Sequence, residues 1–224
     1  RFGLSNWLVF GLPYYLAAAL FAIFLARKAR QSGAVTIPDR LFQAYGRPAA
    51  VAGAAVIYLM TVPAAYILMT GVLCQYLFGW PFWVGVLAGT FFSIVYVYTG
   101  GFFAMVRTDG IQFVFMFLGF LVLLPIAVSQ YGGWSFLAQS APPAHFTWHG
   151  GNAPQYIALW YFIALATLIE PAFFQRCYAA RTPAVARTGI FISIAFWVVF
   201  DFLTTFTGIY ARAILPDLAD PVAS

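Results

Sequence analysis

Residues 82–129 read FWVGVLAGTFFSIVYVYTGGFFAMVRTDGIQFVFMFLGFLVLLPIAVS, a long apolar run whose only charged side chains are Arg107 and Asp109. A membrane helix needs about 20 mainly apolar residues. This run holds two such lengths, and Arg107-Thr108-Asp109 divides them into spans over residues 82–105 and 108–129. A transmembrane barrel would alternate polar and apolar positions. Here the apolar residues are continuous, so the fold class is an all-α polytopic membrane protein.

The rest of the chain agrees. Of 224 residues, 63% are hydrophobic, 20% aromatic and 8% charged. A soluble domain carries about 25% charged residues. Too few charges remain to cover a water-facing surface, which excludes a soluble enzyme, a secreted disulfide scaffold and a disordered tail. Four further spans follow: residues 4–26, stopped by Arg27, Lys28 and Arg30; 49–78, with Pro63 as a kink; 154–176; and 189–215, closed by Pro216. Residues 130–153, rich in Gly, Pro, Ser and His, read as an exterior loop. Six helices in one transmembrane domain result.

The net charge of +5 is a topology signal rather than a nucleic-acid signal, because basic patches with interleaved aromatics are absent. Arg27, Lys28, Arg30, Arg40, Arg47, Arg107, Arg176, Arg181 and Arg187 fall on one side of the bilayer, and only Arg1 and Arg212 on the other. Cytoplasmic loops collect Lys and Arg. The cell (inner) membrane is expected, with both ends outside. An outside start with no visible export signal suggests a fragment of a larger membrane protein. Cys74 and Cys177 fall near opposite faces and are not expected to pair.

Ionisable groups inside a bilayer are costly and are functional candidates by default. Asp39, in Thr36-Ile37-Pro38-Asp39, belongs to a helix start; Asp217 and Asp220 are exterior. Asp109 reads either as a helix-start carboxylate favoured by the macrodipole or as a group lining an inner mouth. Glu170 precedes Pro171, and the pair breaks span five, unless that helix simply ends at its interface. Asp201 lies near the middle of span six, to be met by an arginine, by a hydroxyl such as Thr204 or Thr205, or by a ligand. Tyr14 and Tyr15, beside Pro13, line a cavity or join an interface belt. His145 and His149 make a poor metal site, and no nucleophile–base pair, phosphate loop or metalloprotease motif is present. The chain does not read as an enzyme.

Three segments converge on a known family. Thr99-Gly100-Gly101-Phe102-Phe103-Ala104-Met105-Val106-Arg107-Thr108-Asp109-Gly110-Ile111-Gln112 resembles a signature of the sodium:solute symporter family. Thr36-Ile37-Pro38-Asp39 before Tyr45-Gly46, and Glu170-Pro171 with Phe173-Phe174-Gln175-Arg176 and Ala179-Ala180-Arg181, are similar to two more of its segments.

The resemblance implies a five-plus-five inverted-repeat bundle of the leucine-transporter kind, with the six spans as core helices two to seven. It implies sodium-coupled symport of a small organic solute, an amino acid such as proline or a carboxylate. The main sodium site would lie outside this chain. Asp109 would be the ion-coupling residue. Ile163, Ala166 and Thr167 would face substrate, with Tyr14, Trp197 and Asp201 as looser substrate-binding candidates. The partners implied are the solute, sodium and the lipid bilayer, with no nucleic acid and no cofactor beyond Na+. Symporter-like domains also occur joined to histidine kinases, so a sensory membrane domain is the alternative.

Overall fold

The computed structural model describes residues 3–215; Arg1, Pro216, Asp217 and Asp220 lie outside the described residues. Among them every regular element is helical: α1 (Leu12–Phe24), α2 (Ala26–Gln31), α3 (Ile37–Tyr45), α4 (Arg47–Met60), α5 (Ala64–Phe78), α6 (Phe82–Tyr131), α7 (Trp134–Ser140), α8 (Pro154–Ala164), α9 (Pro171–Ala179) and α10 (Pro183–Ile214). Five helical stretches are long and apolar enough to cross a membrane: Asn6–Phe24, Arg47–Phe78, Phe82–Tyr131, Pro154–Ala179 and Pro183–Ile214. The chain divides into two compact units, residues 54–116 and the remainder.

The six-span count differs from these five because Arg107-Thr108-Asp109 does not end a helix. Charged residues do not break helical geometry, and Thr108 Oγ1 donates to Ala104 O at 3.0 Å within the continuing turn. The interruption comes earlier, at Gly101, with φ 55° and ψ −157°. That conformation is essentially open to glycine alone. Other boundaries shift for local reasons. α10 starts at Pro183 rather than 189, because Thr182 Oγ1 accepts from Val185 N at 3.1 Å and Pro183 occupies the first turn. The expected loop over 130–153 contains α7 and a 3₁₀ turn, Pro143–Phe146. Leu137 of α7 is buried against Ile209 and Tyr210, and Tyr210 Oη donates to Gly132 O at 2.7 Å.

In the larger unit, α1 and α2 pack against α10, α8 and α9. Ala17, Ala18, Ala22, Ala26 and Ala29 are buried along that face. Small side chains let membrane helices approach closely, where dispersion and polar contacts replace a hydrophobic drive. Phe21, fully buried, sits 5.3 Å from the Phe173 ring and 4.9 Å from Phe174. The Arg30 guanidinium Nε donates to the carbonyl of Ala180, which closes α9. A cation there satisfies a carbonyl that the helix leaves unpaired and complements its dipole.

The smaller unit is a hairpin of α5 and the first part of α6. Gly79, with φ 67°, ends α5 and returns its N–H to Gln75 O at 3.0 Å. The two helices meet through glycine: a Cβ on Gly85 would stand 2.7 Å from Cys74 Cβ and 3.1 Å from Gly71 O. α4 stops at Met60 and α5 begins after Pro63, as a proline kink requires. Cys74 and Cys177 are free thiols.

Candidate functional site

The site begins with a proline. Pro13 has no N–H, so the chain entering α1 cannot continue a normal ladder. Asn6–Gly11 adopts a π-helix, and Leu12 N–H reaches back to Trp7 O. In that register the next carbonyl, Leu8 O, would take its bond from residue 13, which has none to give. Tyr161 of α8 supplies it, its hydroxyl donating to Leu8 O at 3.3 Å. π-segments concentrate at functional positions because they free or re-aim backbone groups.

Two polar pairs tie this segment to α10. Asn6 Nδ2 donates to Thr205 Oγ1 at 3.3 Å. One turn away on α10, the Tyr15 hydroxyl donates to Asp201 Oδ2. Tyr15 and Thr205 are each 7% exposed. Gly11 faces the second pair: a Cβ there would stand 2.8 Å from Tyr15 Oη and 2.9 Å from Asp201 Oδ2. The Trp7 Nε1–H faces the Tyr15 hydroxyl oxygen and acts on it as a donor, in a geometry looser than a regular hydrogen bond. Asp201 therefore meets a hydroxyl, as one of the expectations had it, but that of Tyr15 and not of Thr204 or Thr205. Thr204 Oγ1 bonds the Asp201 backbone carbonyl at 3.2 Å, and Thr205 bonds Asn6.

Span five is interrupted where Glu170-Pro171 stands. α8 ends at Ala164, residues Leu165–Ile169 tighten into a 3₁₀ turn, and Glu170 is extended with φ −65° and ψ 118°. Pro171 then opens α9. The 3₁₀ turn packs against α1. Thr167 is buried there, while Ile163 and Ala166 are exposed. Just past the break, Phe173 meets Trp197 of α10 edge to face at 6.0 Å. Thr167, Trp197 and Asp201 thus share the bundle with the break. Tyr14 is half-buried, and its neighbour Tyr15 carries the contact.

Asp109 belongs to the other unit. It is exposed and lies about two turns beyond Gly101. It is therefore not in the first turn of a helix, and the helix-start reading does not hold. That unit also contains a cavity of about 530 Å³ lined by Tyr66, Thr70, Thr90, Ser93 and Tyr98 among others. The Thr70, Thr90 and Ser93 hydroxyls bond carbonyls of their own helices at 2.7–2.9 Å, so the cavity wall is effectively apolar.

On the basic flank of the larger unit, Thr36 caps α3. Thr36 Oγ1 accepts from Asp39 N at 3.2 Å, and Asp39 Oδ2 accepts from Thr36 N at 2.8 Å. Hydrogen bonds from the Thr36 side chain, then from its backbone, hold the Asp39 carboxyl below the ordinary carboxylate range. His149 Nδ1 accepts from Gly151 N at 3.0 Å in a turn. Among the described residues no group of three His, Cys, Asp or Glu side chains is placed to hold a metal.

The sequence missed the π-segment, Asn6, Trp7, Gly11, Tyr161 and Arg30. A proline early in an apolar span is the one signal that points to the first four.

Comparison with known proteins fits this arrangement. The chain is 28% identical to a sodium/glucose cotransporter of Vibrio parahaemolyticus, over 72% of this chain and 33% of that protein. It is 27% identical to the sodium/pantothenate symporter of Escherichia coli K12, over 97% of this chain and 48% of that protein. The chain thus spans about half, or less, of the length of these relatives. No solved structure matches it. The family model described as Sodium:solute symporter family matches residues 2–223. Members of that family are transporters rather than enzymes, and a chain matched over nearly its whole length, with apolar helices that cross a bilayer, is an integral membrane protein belonging to the sodium:solute symporter family.

Proposed function

We propose that this chain is the central transmembrane domain of a secondary transporter in which sodium moving inward drives uptake of a small organic solute. The observation that carries the reading is the broken span five packed against span one, whose start is π-distorted and which also meets the carboxylate of span six. Discontinuous helices expose backbone groups at mid-membrane, where transporters place their sites. Thr167, Trp197 and Asp201, with Tyr14 beside Tyr15, form the solute-facing side of this domain. Ile163 and Ala166 face whatever covers the exposed flank of α8.

On this reading the spans correspond to core helices two to seven of a five-plus-five inverted repeat. A continuous α6 of 50 residues would run about 75 Å, more than twice the roughly 30 Å hydrocarbon core. Two crossings divided near Gly101 restore six spans. The positive-inside rule supports putting Arg27, Lys28, Arg30, Arg176, Arg181 and Arg187 on the cytoplasmic side, with both chain ends outside and the inner membrane as the location.

Per sodium ion, about 2.3 kcal/mol from −100 mV and about 1.4 kcal/mol from a tenfold gradient together support roughly 500-fold accumulation. The test is uptake of labelled amino acids and carboxylates by the full-length protein in proteoliposomes. Uptake should require the sodium gradient, and equal uptake without it overturns the coupling. Asp109 is the proposed ion-coupling residue. Asp109→Asn should raise the sodium concentration for half-maximal uptake several-fold, and unchanged sodium kinetics would remove it from the mechanism.

A further inference from the structure

α3 stands between two membrane spans without continuing either. Span one ends at Phe24, and α4 opens span two at Arg47. Gly33, with φ 70°, separates α2 from α3, and Gly46, with φ 81°, turns the chain sharply into α4. Along α3, Ile37, Leu41, Phe42 and Tyr45 share one side, and Asp39, Arg40 and Gln43 share the other. Leu41 lies over Gly53 of α4. The rest of the apolar side has little cover among the described residues: Phe42 is 56% exposed, Tyr45 76%, and Val35, just before the cap, 72%.

Around this helix the charge is nearly all of one sign. Residues 26–48 hold five cationic side chains against one carboxylate, Asp39, and residues 172–188 hold three against none. α2, α9 and the start of α10 bury Ala26, Ala29, Cys177 and Ala186 against one another, and α3 packs on α9. Arg27, Lys28, Arg40, Arg47 and Arg181 are exposed around that seam. Asp39 is turned into the helix cap, where its Oδ2 accepts from Val35 N at 3.3 Å and Thr36 N at 2.8 Å.

A topology signal needs only basic residues near the ends of spans. It does not need an amphipathic helix with bare aromatic rings set among them. We propose that α3 lies in the headgroup layer of the membrane, with Val35, Phe42 and Tyr45 reaching the acyl boundary, and that the surrounding cations bind the phosphates of anionic phospholipids. The rings take the apolar part of such a lipid, and the long Arg and Lys stems carry their charges out to its phosphate. A zwitterionic lipid brings a cation of its own, which this surface repels. Such a site goes beyond the transport reading and stands whether or not uptake is driven by sodium.

The experiment uses purified full-length protein in nanodiscs of phosphatidylcholine, alone or mixed equally with phosphatidylglycerol. Hydrogen exchange at the α3 amides should slow several-fold in the mixture, and native mass spectra should show phosphatidylglycerol retained in preference to phosphatidylcholine. Added salt should weaken that preference. The double variant Arg27→Gln/Lys28→Gln should cut phosphatidylglycerol retention several-fold, whereas Arg27→Lys should keep it, which separates lost charge from lost folding. Phe42→Ser with Tyr45→Ser should speed α3 exchange in both lipids and leave the headgroup preference in place. Inorganic phosphate added to the protein in detergent should not slow exchange; an effect equal to that of phosphatidylglycerol would make the ligand a water-borne anion and overturn the lipid site. Equal exchange in the two nanodiscs would mean that protein, from this chain or a partner, covers α3, and overturns the proposal. Retention undiminished in the double variant overturns it as well.

Discussion

The two units satisfy their polar side chains in opposite ways. In residues 54–116, Thr61, Thr70, Thr90, Ser93, Thr99 and Thr108 all turn their hydroxyls back to carbonyls of their own helix. In the larger unit, polar groups also cross between elements: Asn6 to Thr205, Tyr15 to Asp201, Tyr161 to Leu8, Tyr210 to Gly132 and Arg30 to Ala180. The first pattern gives a helix pair whose fit rests on shape alone, on glycine against glycine. The second gives a bundle held in register by directional bonds, one of them to a carboxylate. Polar groups that cross between helices fix the register that apolar packing leaves free.

If shape alone holds the hairpin, adding volume at its closest approach should do the most damage. Gly85→Leu would force the helices apart at Gly71 and Cys74, at a cost of roughly 2–3 kcal/mol. Thermal unfolding in detergent measures it, and an unchanged midpoint would mean that the hairpin is not glycine-limited. In the larger unit the matching change is a loss of volume. Phe21→Ala should cost roughly 2 kcal/mol, since in lipid the cavity counts more than transfer from water. The polar contrast is then tested directly. Tyr161→Phe orphans Leu8 O and should cost about 1 kcal/mol, whereas Thr70→Val removes only a bond within one helix and should sit near zero. Equal effects would erase the distinction between the units.

The smallest effect is at the surface. Because the Asp39 carboxyl is held low in the folded state, its capping contribution is present above the ordinary carboxylate range and is lost as pH falls through the lowered value. Amide exchange at Thr36 should therefore accelerate in acid, and Asp39→Asn should remove that pH dependence.

Much of the architecture was readable in the chain. Apolar runs place the spans because the bilayer admits little else. Glu170-Pro171 marks a break because local stereochemistry decides it, whatever the surroundings. The span boundary was set at Arg107 because charge was taken as the divider, while the turn marked by the Gly100-Gly101 pair does the dividing. α7 went unseen because seven residues cannot form a stable helix alone; Leu137 holds it through burial against α10. Asp201 was identifiable from its isolation in an apolar run. Its partner was not, because Tyr14 and Tyr15 are both candidates until the π-turn rotates one of them toward α10.

That turn has a mechanical consequence. Span one touches both halves of the broken span five: its first part through the Tyr161–Leu8 bond, its last part through Phe21 against Phe173 and Phe174 and, one element on, Arg30 at the end of α9. It therefore acts as a splint across the fracture at Glu170. The grip on α8 also includes Phe10 edge-on to Trp160 at 4.7 Å and to Tyr156 at 6.3 Å. Both half-helices are thus clamped to one rod, and the Tyr161 hydroxyl adds the bond that Leu8 O, facing Pro13 in the π register, does not receive from its own helix.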